Sequence, residues 1–422
     1  MKFAHIADCH IGGWRDLKMQ DVGMQAFSMA IDRAISEGVD FLLIAGDLFN
    51  TSIPPIDKIK AVVKQLNRLK DEKIPVYMVA GSHDYSPSGK TMLDVLEETG
   101  LFSNVCRGEV VDGKLRLNYT IDEKTGAKIT GMLGKKGMLE KHYYEDLDRE
   151  ALEKENGFKI FLFHTAITEL KPEELQKMES ASVSLLPKGF DYYAGGHVHI
   201  TKKGDFDDRN NVIYPGPVFP NSFSEIEKMR KGSMCLFEDG DVTQIDIEPK
   251  KVVCVKVDCN HKTSNQVQNE LRDKFEGDVY GAIVTIRLFG TLETGNVTDI
   301  NLLEIFDELY SKGAHFVLKN SNKLHSKEFK QVSVVHDTIE EIENALIEEQ
   351  WGNLSGLADK NDETALIRQL MQSFSAERLD GENKADYEQR IAEQGMTAIK
   401  IIKNAESVQL HSKECSMTGH LL

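Results

Sequence analysis

Short polar segments rich in histidine and aspartate recur along the first half of the chain, with residue types that suit metal binding. The segments are Asp8-Cys9-His10, Gly46-Asp47, Gly81-Ser82-His83-Asp84, His164 and Gly195-Gly196-His197-Val198-His199. Imidazole and carboxylate ligands together suit Mn, Fe or Zn. Any one segment alone is more often a turn, a surface pair or a core histidine. Their joint occurrence, most of them directly after an apolar run, favours a site that holds divalent cations.

The polar segments lie where β-strands are predicted to end. Apolar runs with the length of buried strands cover Lys2–Ala7, Phe41–Ala45, Pro75–Ala80, Lys159–His164 and Tyr192–Gly195. Helical patterns alternate with these runs, as in the spacing of Met24, Phe27, Ile31 and Ile35. Strands that alternate with helices predict an α/β layered domain, in which ligands bind beyond the carboxyl ends of the strands. The sequence therefore places the polar segments at the ligand-binding edge of such a domain.

The composition is that of a folded protein with more than one domain. A length of 422 residues predicts two or three domains, and a hydrophobic fraction of 41% is ordinary for a large core. A net charge of −17 argues against coating of nucleic acid by bulk electrostatics, but it leaves local basic patches open. The six cysteines form no CxxC pair, and no apolar run is long enough to cross a bilayer. We expect a reducing, intracellular location, in the cytoplasm and nucleoid or in a nucleus.

The pattern of elements predicts three regions. Residues 1–250 carry the polar segments and the alternation of strands and helices. Residues 251–335 predict a small α+β domain, with strands over Val252–Val257 and Ala282–Leu288. Residues 336–422 predict mostly polar helices. We therefore expect two folded domains followed by a helical extension.

In their order along the chain, the polar segments resemble the signature D-x-H, G-D, G-N-H-[DE], H and G-H-x-H of the calcineurin-like metallophosphoesterases. Within that superfamily, residues 1–8, Ala45–Phe49 and Tyr193–His199 are most similar to the SbcD-type break-repair nucleases, the meiotic recombination eleven family. Tyr214-Pro215-Gly216-Pro217 resembles the Y-[PS]-G-S turn of that family. The resemblance implies an α/β fold: a calcineurin-like four-layer metallophosphoesterase sandwich, with a small α+β capping domain and a helical C-terminal extension.

The resemblance also implies a role for each polar residue. Asp47 would bridge two metal ions, one held with Asp8, His10 and His199 and the other with Ser82, His164 and His197. His83 would neutralise or protonate the leaving oxygen, with Asp84 orienting its ring. The implied cofactor is a pair of Mn²⁺ ions per subunit, with Mg²⁺, Fe or Zn as alternatives. The implied reaction is two-metal in-line hydrolysis of a phosphodiester.

Two residues depart from the family pattern. Ser82 stands where the family has an asparagine that binds the second metal, and a neutral hydroxyl is a shorter and weaker ligand. We therefore expect the second site to bind its metal less tightly. Asn50 stands where the family often has a histidine that supports exonuclease activity, which leaves the balance between exonuclease and endonuclease action open.

Candidate substrate contacts outside the metal ligands rest on weaker patterns. The candidates are Asn50, Lys319, Lys323 and Lys327. The three lysines lie in the region that resembles a DNA-binding cap, but a solvated surface run explains them equally well. Lys135, Lys136 and Lys141, with Tyr143 and Tyr144, fit a plain surface loop better than a phosphate contact.

Two apolar stripes suggest protein partners. The stripe Ile56, Ile59, Val63, Leu66 and Leu69 is broad enough for both a core and a partner. Relatives pair through helices in this region, so we expect a homodimer. In the tail, Leu366, Leu370 and Phe374 recur at helical spacing. Relatives use such a tail to grip the coiled-coil base of an SMC-like ATPase, and the alternative is that these residues pack back on the catalytic domain.

The function that the family resemblance implies is a Mn-dependent DNA exonuclease and endonuclease, part of a double-strand-break repair complex with an SMC-like ATPase. Its substrates would be double-stranded DNA ends or hairpins. One alternative is a DNA-end-binding scaffold whose metal site is weakened by Ser82, although the other expected ligands are present. Another is a phosphodiesterase or phosphomonoesterase with a non-DNA substrate, which the cap and the tail argue against.

Overall fold

A computed structural model describes residues 1–86, 91–175, 178–275, 277–327, 360–376, 379, 386–397 and 399, and in these residues two six-stranded sheets form most of the fold. The strands, in chain order, are β1 (Lys2–Ile6), β2 (Phe41–Ala45), β3 (Val76–Val79), β4 (Ser103–Asn104), β5 (Gly108–Val111), β6 (Lys114–Leu117), β7 (Thr120–Ile121), β8 (Lys128–Met132), β9 (Lys159–His164), β10 (Tyr192–Gly196), β11 (Thr201–Phe206), β12 (Arg209–Pro215), β13 (Gly232–Glu238), β14 (Asp241–Ile247), β15 (Val252–Asp258), β16 (Ile283–Leu292) and β17 (Phe316–Ser326).

The α-helices are mostly short. They are α1 (Leu17–Ser36), α2 (Ile56–Asp71), α3 (Met92–Glu98), α4 (Lys141–Glu145), α5 (Arg149–Glu153), α6 (Phe223–Met229), α7 (Ser264–Lys274), α8 (Leu302–Ser311) and α9 (Lys360–Phe374). Residues 386–397 are also helical. Among the described residues, none of these helices is both long enough and apolar enough to cross a membrane.

The two sheets present the carboxyl ends of their parallel strands to the same region. The first sheet has the order β14-β13-β1-β2-β3-β4, in which β1 to β4 run parallel. The second has the order β11-β12-β10-β9-β8-β7, in which β8, β9, β10 and β12 run parallel. The predicted strands over Phe41–Ala45 and Lys159–His164 have the same bounds in the structure.

Aromatic side chains join the inner faces of the sheets. Phe3 of β1 stacks on Phe41 and Phe237, with ring centroids 4.9 and 4.5 Å apart, and meets Tyr192 of the second sheet edge-on at 5.0 Å. Large buried rings contribute apolar burial together with specific ring–ring contacts. This interface makes the sheets a fixed platform for the loops at their ends.

Helices cover the outer faces. Phe27 of α1 and Leu66 of α2 are buried in one cluster with Leu42 and Ile44 of the first sheet. On the second sheet, Tyr144 and Leu152 of the short helices α4 and α5 share a cluster with residues such as Phe161 and Tyr193. The order helix, sheet, sheet, helix confirms the predicted four-layer sandwich.

A three-stranded sheet of order β15-β16-β17, with α7 and α8, follows the sandwich. Its residue Ile283 is buried in the same cluster as the helices of the first sheet. Arg287 of β16 binds Glu227 of α6 at 2.6 Å and lies 5.0 Å from the ring of Phe223. These contacts fasten the small sheet to the sandwich through α6.

The chain divides into two compact units. The larger comprises Met1–Asn260, Ser264–Gly290 and Thr298–Leu324. The smaller comprises His261–Thr263, Thr291–Val297 and the described residues from His325 onward. The domain boundaries after residues 250 and 335 stay predictions, and residues 336–359 and 400–422 of the predicted tail lie outside the described residues.

Within the smaller unit, α9 shows two environments along its apolar stripe. Leu366 is 9% exposed, whereas Phe374 at the end of the helix is 61% exposed. The hydroxyl of Tyr387 donates to the carbonyl of Ala376 at 3.1 Å, which ties residues 386–397 to the end of α9.

Candidate metal centre

The loops that follow β1, β2, β3, β9 and β10 meet above the carboxyl ends of these strands. Backbone hydrogen bonds hold the first two loops together: Asp8 N–H donates to the Gly46 carbonyl at 3.1 Å, and His10 N–H donates to the Asp47 carbonyl at 2.9 Å. The polar segments found in the sequence therefore converge as the α/β pattern predicted.

Four of the candidate ligands have left-handed backbone conformations. The φ angles are 52° at Asp8, 43° at His10, 50° at Asp47 and 88° at His197. Residues with a Cβ atom seldom adopt a positive φ angle, and such backbone conformations persist only where the surrounding structure fixes them. The backbone thus turns sharply at each strand end.

Among the described residues, three overlapping groups of side chains could each hold a cation. They are Asp8 with His10 and His199, Asp8 with Asp47 and His164, and His10 with Asp47 and His83. Within each group, one ligand atom from each residue lies within 4.8 Å of the others. Asp8, His10 and Asp47 each belong to two groups, so these three residues form the centre of the cluster.

The shortest distances in the cluster join ring nitrogens and carboxylates. His10 Nε2 lies 3.0 Å from His199 Nε2, and Asp47 Oδ2 lies 3.6 Å from His10 Nε2. Asp47 Oδ2 also lies 3.2 Å from His164 Nε2. Asp47 therefore stands between two histidine positions, where a carboxylate shared by two cations would stand.

His164 has the hydrogen bonding of a metal ligand. Its Nδ1 is 2.8 Å from the Ala45 carbonyl, while its buried Nε2 faces Asp47 Oδ2 at 3.2 Å without the geometry of a hydrogen bond. A backbone carbonyl that accepts a hydrogen bond from one ring nitrogen commonly fixes the tautomer that leaves the other nitrogen free for a metal. Because buried polar atoms are seldom left without a well-formed partner, the arrangement of Nε2 and Asp47 Oδ2 fits a divalent cation held by both.

Two glycines make room for these side chains. A Cβ atom on Gly46 would lie 2.3 Å from His164 Nδ1, and one on Gly81 would lie 2.2 Å from Asp47 Oδ1. Both distances are far inside van der Waals contact. The glycines before Asp47 and Ser82 are therefore required for close packing of the ligands.

Burial and the two carboxylates set the charge of the site. Burial lowers the pKa of His10 and of His197 to about 3, so both rings are neutral and keep a lone pair. Burial opposes a charge on His164 too, but the Asp47 carboxylate outweighs it and raises the His164 pKa to about 10. Burial raises the pKa of Asp8. A field that favours a proton on His164 would equally favour a divalent cation.

Asp84 does not have the contact that the sequence predicted for it. Its carboxylate accepts hydrogen bonds from the backbone N–H groups of Leu48, Phe49 and Gly81 at 3.0 to 3.2 Å. The ring of His83 is held instead by the carbonyl of Asn50, 2.9 Å from Nδ1. The prediction that Asp84 orients the His83 ring is therefore wrong. The Asp84 carboxylate is occupied by backbone N–H groups of the loops.

Ser82 and His197 lie at the edge of the cluster. Ser82 is buried, and its hydroxyl lies 3.5 Å from Asp47 Oδ2. The backbone N–H of His197 donates to both oxygens of Asp8 at 3.0 and 3.1 Å. The His197 ring lies 5.1 Å from that of His164, but it joins none of the three ligand groups found among the described residues.

Glu225 is a site residue that the sequence analysis missed. Its Oε1 lies 3.2 Å from His199 Nδ1. Burial lowers the pKa of His199, but the hydrogen bond with Glu225 outweighs burial and raises that pKa to about 9. Glu225 lies in the first turn of α6, where Ser222 accepts a hydrogen bond from its N–H. The Ser-x-x-Glu pattern indicates a helix start. It does not indicate that the carboxylate reaches His199.

The candidate substrate contacts are placed as follows. The side chain of Asn50 accepts a hydrogen bond from Asn221 at 3.4 Å, and its backbone carbonyl lies 2.9 Å from His83 Nδ1. Lys319 and Lys323 are exposed on β17. In the smaller unit, Lys327 forms an ion pair with Glu293 at 2.5 Å, which partly neutralises its charge.

Comparison with known proteins identifies the family. A family model of calcineurin-like phosphoesterases matches residues 1–201. The DNA double-strand break repair protein Mre11 of Archaeoglobus fulgidus is 32% identical over 245 residues, which cover 54% of this chain and 52% of that protein. The Mre11 of Sulfurisphaera tokodaii is 30% identical over 284 residues, covering 64% of this chain and 69% of that protein.

The match extends further in a third relative. The Mre11 of Methanococcus maripaludis is 28% identical over 331 residues, covering 73% of this chain and 85% of that protein. The chain spans about half the length of the Archaeoglobus relative. These similarities confirm the resemblance carried by the polar segments, and the chain belongs to the Mre11 family of calcineurin-like phosphoesterases.

Proposed function

We propose that the chain is a divalent-metal-dependent DNA nuclease that acts in double-strand-break repair with an SMC-like coiled-coil ATPase. The position of Asp47 carries the proposal. Its Oδ2 lies 3.2 Å from His164 Nε2 and 3.6 Å from His10 Nε2, as expected of a carboxylate shared by two cations. Phosphodiester hydrolysis is a reaction for which such two-cation sites are suited. The names of the relatives, all break-repair proteins, support DNA as the substrate.

The proposed ligands form two sets that share Asp47. One set is Asp8, His10, Asp47 and His199, and the other is Asp47, Ser82, His164 and His197. We propose Mn²⁺ for both positions, because mixed imidazole and carboxylate ligands suit it. When bound, two divalent cations would stabilise the charge that develops on the attacking and leaving oxygens of an in-line displacement.

His83 is the proposed proton donor to the leaving oxygen. Its backbone N–H donates to Asp47 Oδ1 at 2.7 Å, which fixes the loop against the metal centre. Its Nδ1 faces the Asn50 carbonyl, so Nε2 is the nitrogen that would meet the substrate. General-acid catalysis would require that Nε2 carry the proton that it donates. Asp84 contributes by holding the loop, through its three backbone hydrogen bonds.

The test is a cleavage assay on plasmid, linear and hairpin DNA with Mn²⁺ or Mg²⁺. The parental chain should cleave DNA in Mn²⁺, and His83→Ala should lose most of that turnover. The Mn²⁺ content of both proteins is measured in parallel. His83→Ala should keep the parental content, because His83 is proposed to act on the substrate and not as a ligand.

Each of the other possible outcomes would support a different function for the protein or a different role for His83. DNA binding without cleavage would favour the end-binding scaffold. Cleavage of bis(p-nitrophenyl) phosphate without cleavage of DNA would favour a phosphodiesterase with another substrate. Loss of Mn²⁺ from His83→Ala would assign His83 to the ligand group that it forms with His10 and Asp47.

A further inference from the structure

Lys135 lies between two tyrosine rings at the rim of the metal centre. Its Nζ is 4.8 Å from the centroid of the Tyr85 ring and 4.4 Å from that of Tyr143. Nζ also donates a hydrogen bond to the Tyr143 hydroxyl at 2.5 Å. An ammonium group over aromatic faces is stabilised by the ring quadrupole. This lysine is therefore held in one place, unlike a lysine of a plain surface loop.

In the part of the chain that the structure describes, the Lys135 ammonium has no acidic partner. Among the residues that the structure describes, no carboxylate lies within ion-pair distance of its Nζ, although the chain has a net charge of −17. Lys2 and Lys128 show the more usual arrangement, since each pairs with a glutamate. Burial lowers the pKa of Lys135, but contact with the two tyrosines outweighs burial and raises it, so the group stays charged.

The loop that carries Lys135 is fixed to the metal centre. A Cβ atom on Gly134 would lie 2.5 Å from His164 Cδ2, so the backbone before Lys135 packs directly on the ring of that ligand. The N–H of Lys135 donates to Glu140 Oε2 at 3.0 Å. The buried Glu140 accepts a second hydrogen bond, at 2.8 Å, from the hydroxyl of Thr165, which follows His164.

The aromatic partner Tyr85 connects the lysine to the catalytic loop. Tyr85 lies two residues after His83, and its N–H donates to the Gly81 carbonyl at 3.1 Å. The ammonium of Lys135 is thus attached to the loop of His83 on one side and to the loop beside His164 on the other. It lies on the side of the site where the leaving group is proposed to depart.

We propose that Lys135, Tyr85 and Tyr143 form a phosphate-binding subsite, here named the Lys135 subsite. It would bind the DNA phosphate adjacent to the scissile one, on the His83 side. The inference rests on the proposed nuclease function. A fixed and unpaired cation binds a phosphate at a smaller entropic cost than a free lysine, because its position is already determined. The subsite would therefore hold the strand in register with the cluster around Asp47.

The experiment compares Lys135→Met with Lys136→Met. Both changes remove one positive charge, but Lys136 is exposed and outside the tyrosine pair. Hairpin DNA binding is measured over a range of salt concentrations, and cleavage is measured for kcat and KM. Lys135→Met should reduce the slope of log affinity against log salt by about 1, the effect of one lost phosphate contact. It should raise KM several-fold with little change in kcat, whereas Lys136→Met should match the parent.

Tyr143→Leu separates the role of the rings from that of the charge. This change leaves the ammonium charged but removes one ring and the hydroxyl, so KM should rise while the salt slope stays at the parental value. The test also works if Lys135→Met folds poorly. A parental KM for Tyr143→Leu would overturn the idea that the rings position the charge.

The possible outcomes distinguish a failure of the Lys135 subsite from a failure of the proposed nuclease function. A parent that cleaves DNA, with Lys135→Met indistinguishable from Lys136→Met, would remove the subsite and leave the nuclease intact. A parent that neither binds nor cleaves DNA would remove the nuclease function, and the subsite with it. Lys135→Arg keeps the charge and the ring contacts and should restore KM to near the parental value; failure to do so would count against a charge-based role.

Discussion

Oε1 of Glu225 lies 3.2 Å from Nδ1 of His199, so that the other nitrogen of the ring faces Asp8 and His10. The carboxylate comes from a different segment of the chain than the histidine, and it has a second bond to the N–H of Asn221 at 2.8 Å. Glu225 is thus held at both oxygens. Carboxylates behind histidine ligands orient the ring and raise its basicity.

We predict that Glu225→Gln lowers the affinity for Mn²⁺ by about 10- to 100-fold, the effect typical of such supporting residues. The amide keeps an oxygen for Asn221 but loses the charge that faces His199. Calorimetric titration with Mn²⁺ measures the effect without reference to activity. Glu109→Gln, on the exposed strand β5, is the matched control and should bind as the parent does. Equal affinities for both variants would show that Glu225 only caps α6.

Ser82→Asn should strengthen Mn²⁺ binding at the position shared by Asp47 and His164. The hydroxyl of Ser82 is 3.5 Å from Asp47 Oδ2, and an amide carbonyl reaches further into the cluster. A gain of about tenfold would correspond to about 1.4 kcal/mol. The weaker phase of a calorimetric titration reports it, with Ser103→Asn on β4 as the control. Unchanged or weaker binding would mean that the serine already completes a satisfactory ligand shell.

A homodimer through α2 is the third prediction. Leu66 and Leu69 of the predicted stripe are buried, but Ile56 at the start of α2 is 82% exposed and Ile53 before it is 73% exposed. Ile56→Asp should convert a dimer into a monomer in light scattering, because a charge would be buried in the interface. Val110→Asp changes an equally exposed valine (73%) on β5 and should leave the dimer intact. A monomeric parent at micromolar concentration would contradict the prediction.

The tail gives the fourth prediction. A chain that ends at Val335 should keep its thermal transition and its nuclease activity, but it should no longer co-purify with an SMC-like ATPase. Within α9, Phe374 is the better candidate anchor than Leu366, because Phe374 is 61% exposed and Leu366 is buried. Phe374→Asp should therefore weaken ATPase binding, whereas Leu303→Asp on the exposed face of α8 should not. Aggregation of the truncated chain would instead assign the tail to the fold.

The convergence of the polar segments could be predicted from the sequence because it follows from strand order alone. Residues at the carboxyl ends of parallel strands reach the same edge whatever the details of the loops. The sequence also predicts β2 (Phe41–Ala45) and β9 (Lys159–His164) with the bounds that the structure shows, because buried parallel strands are continuous apolar runs.

Contacts that depend on backbone groups or on distant loops could not be predicted in this way. The carbonyl of Asn50 holds the ring of His83, and any residue type at that position would offer the same carbonyl. The Asp84 carboxylate binds N–H groups whose direction is set by the turn after β2. Glu225 reaches His199 only because α6 packs beside the site, and neither pattern nor spacing reports that packing.

Helix α6 contacts both the small three-stranded sheet and the metal centre. This seven-residue helix reaches His199 through Glu225, while two residues further on Glu227 binds Arg287 of the small sheet at 2.6 Å. A ligand that shifted the small sheet would pull on Glu227 and so displace the carboxylate behind His199. By thermodynamic reciprocity, that ligand and the cation would then change each other's affinity by the same factor. We therefore expect Arg287→Ala, on a strand that contributes no proposed metal ligand, to change the affinity for Mn²⁺ in a calorimetric titration.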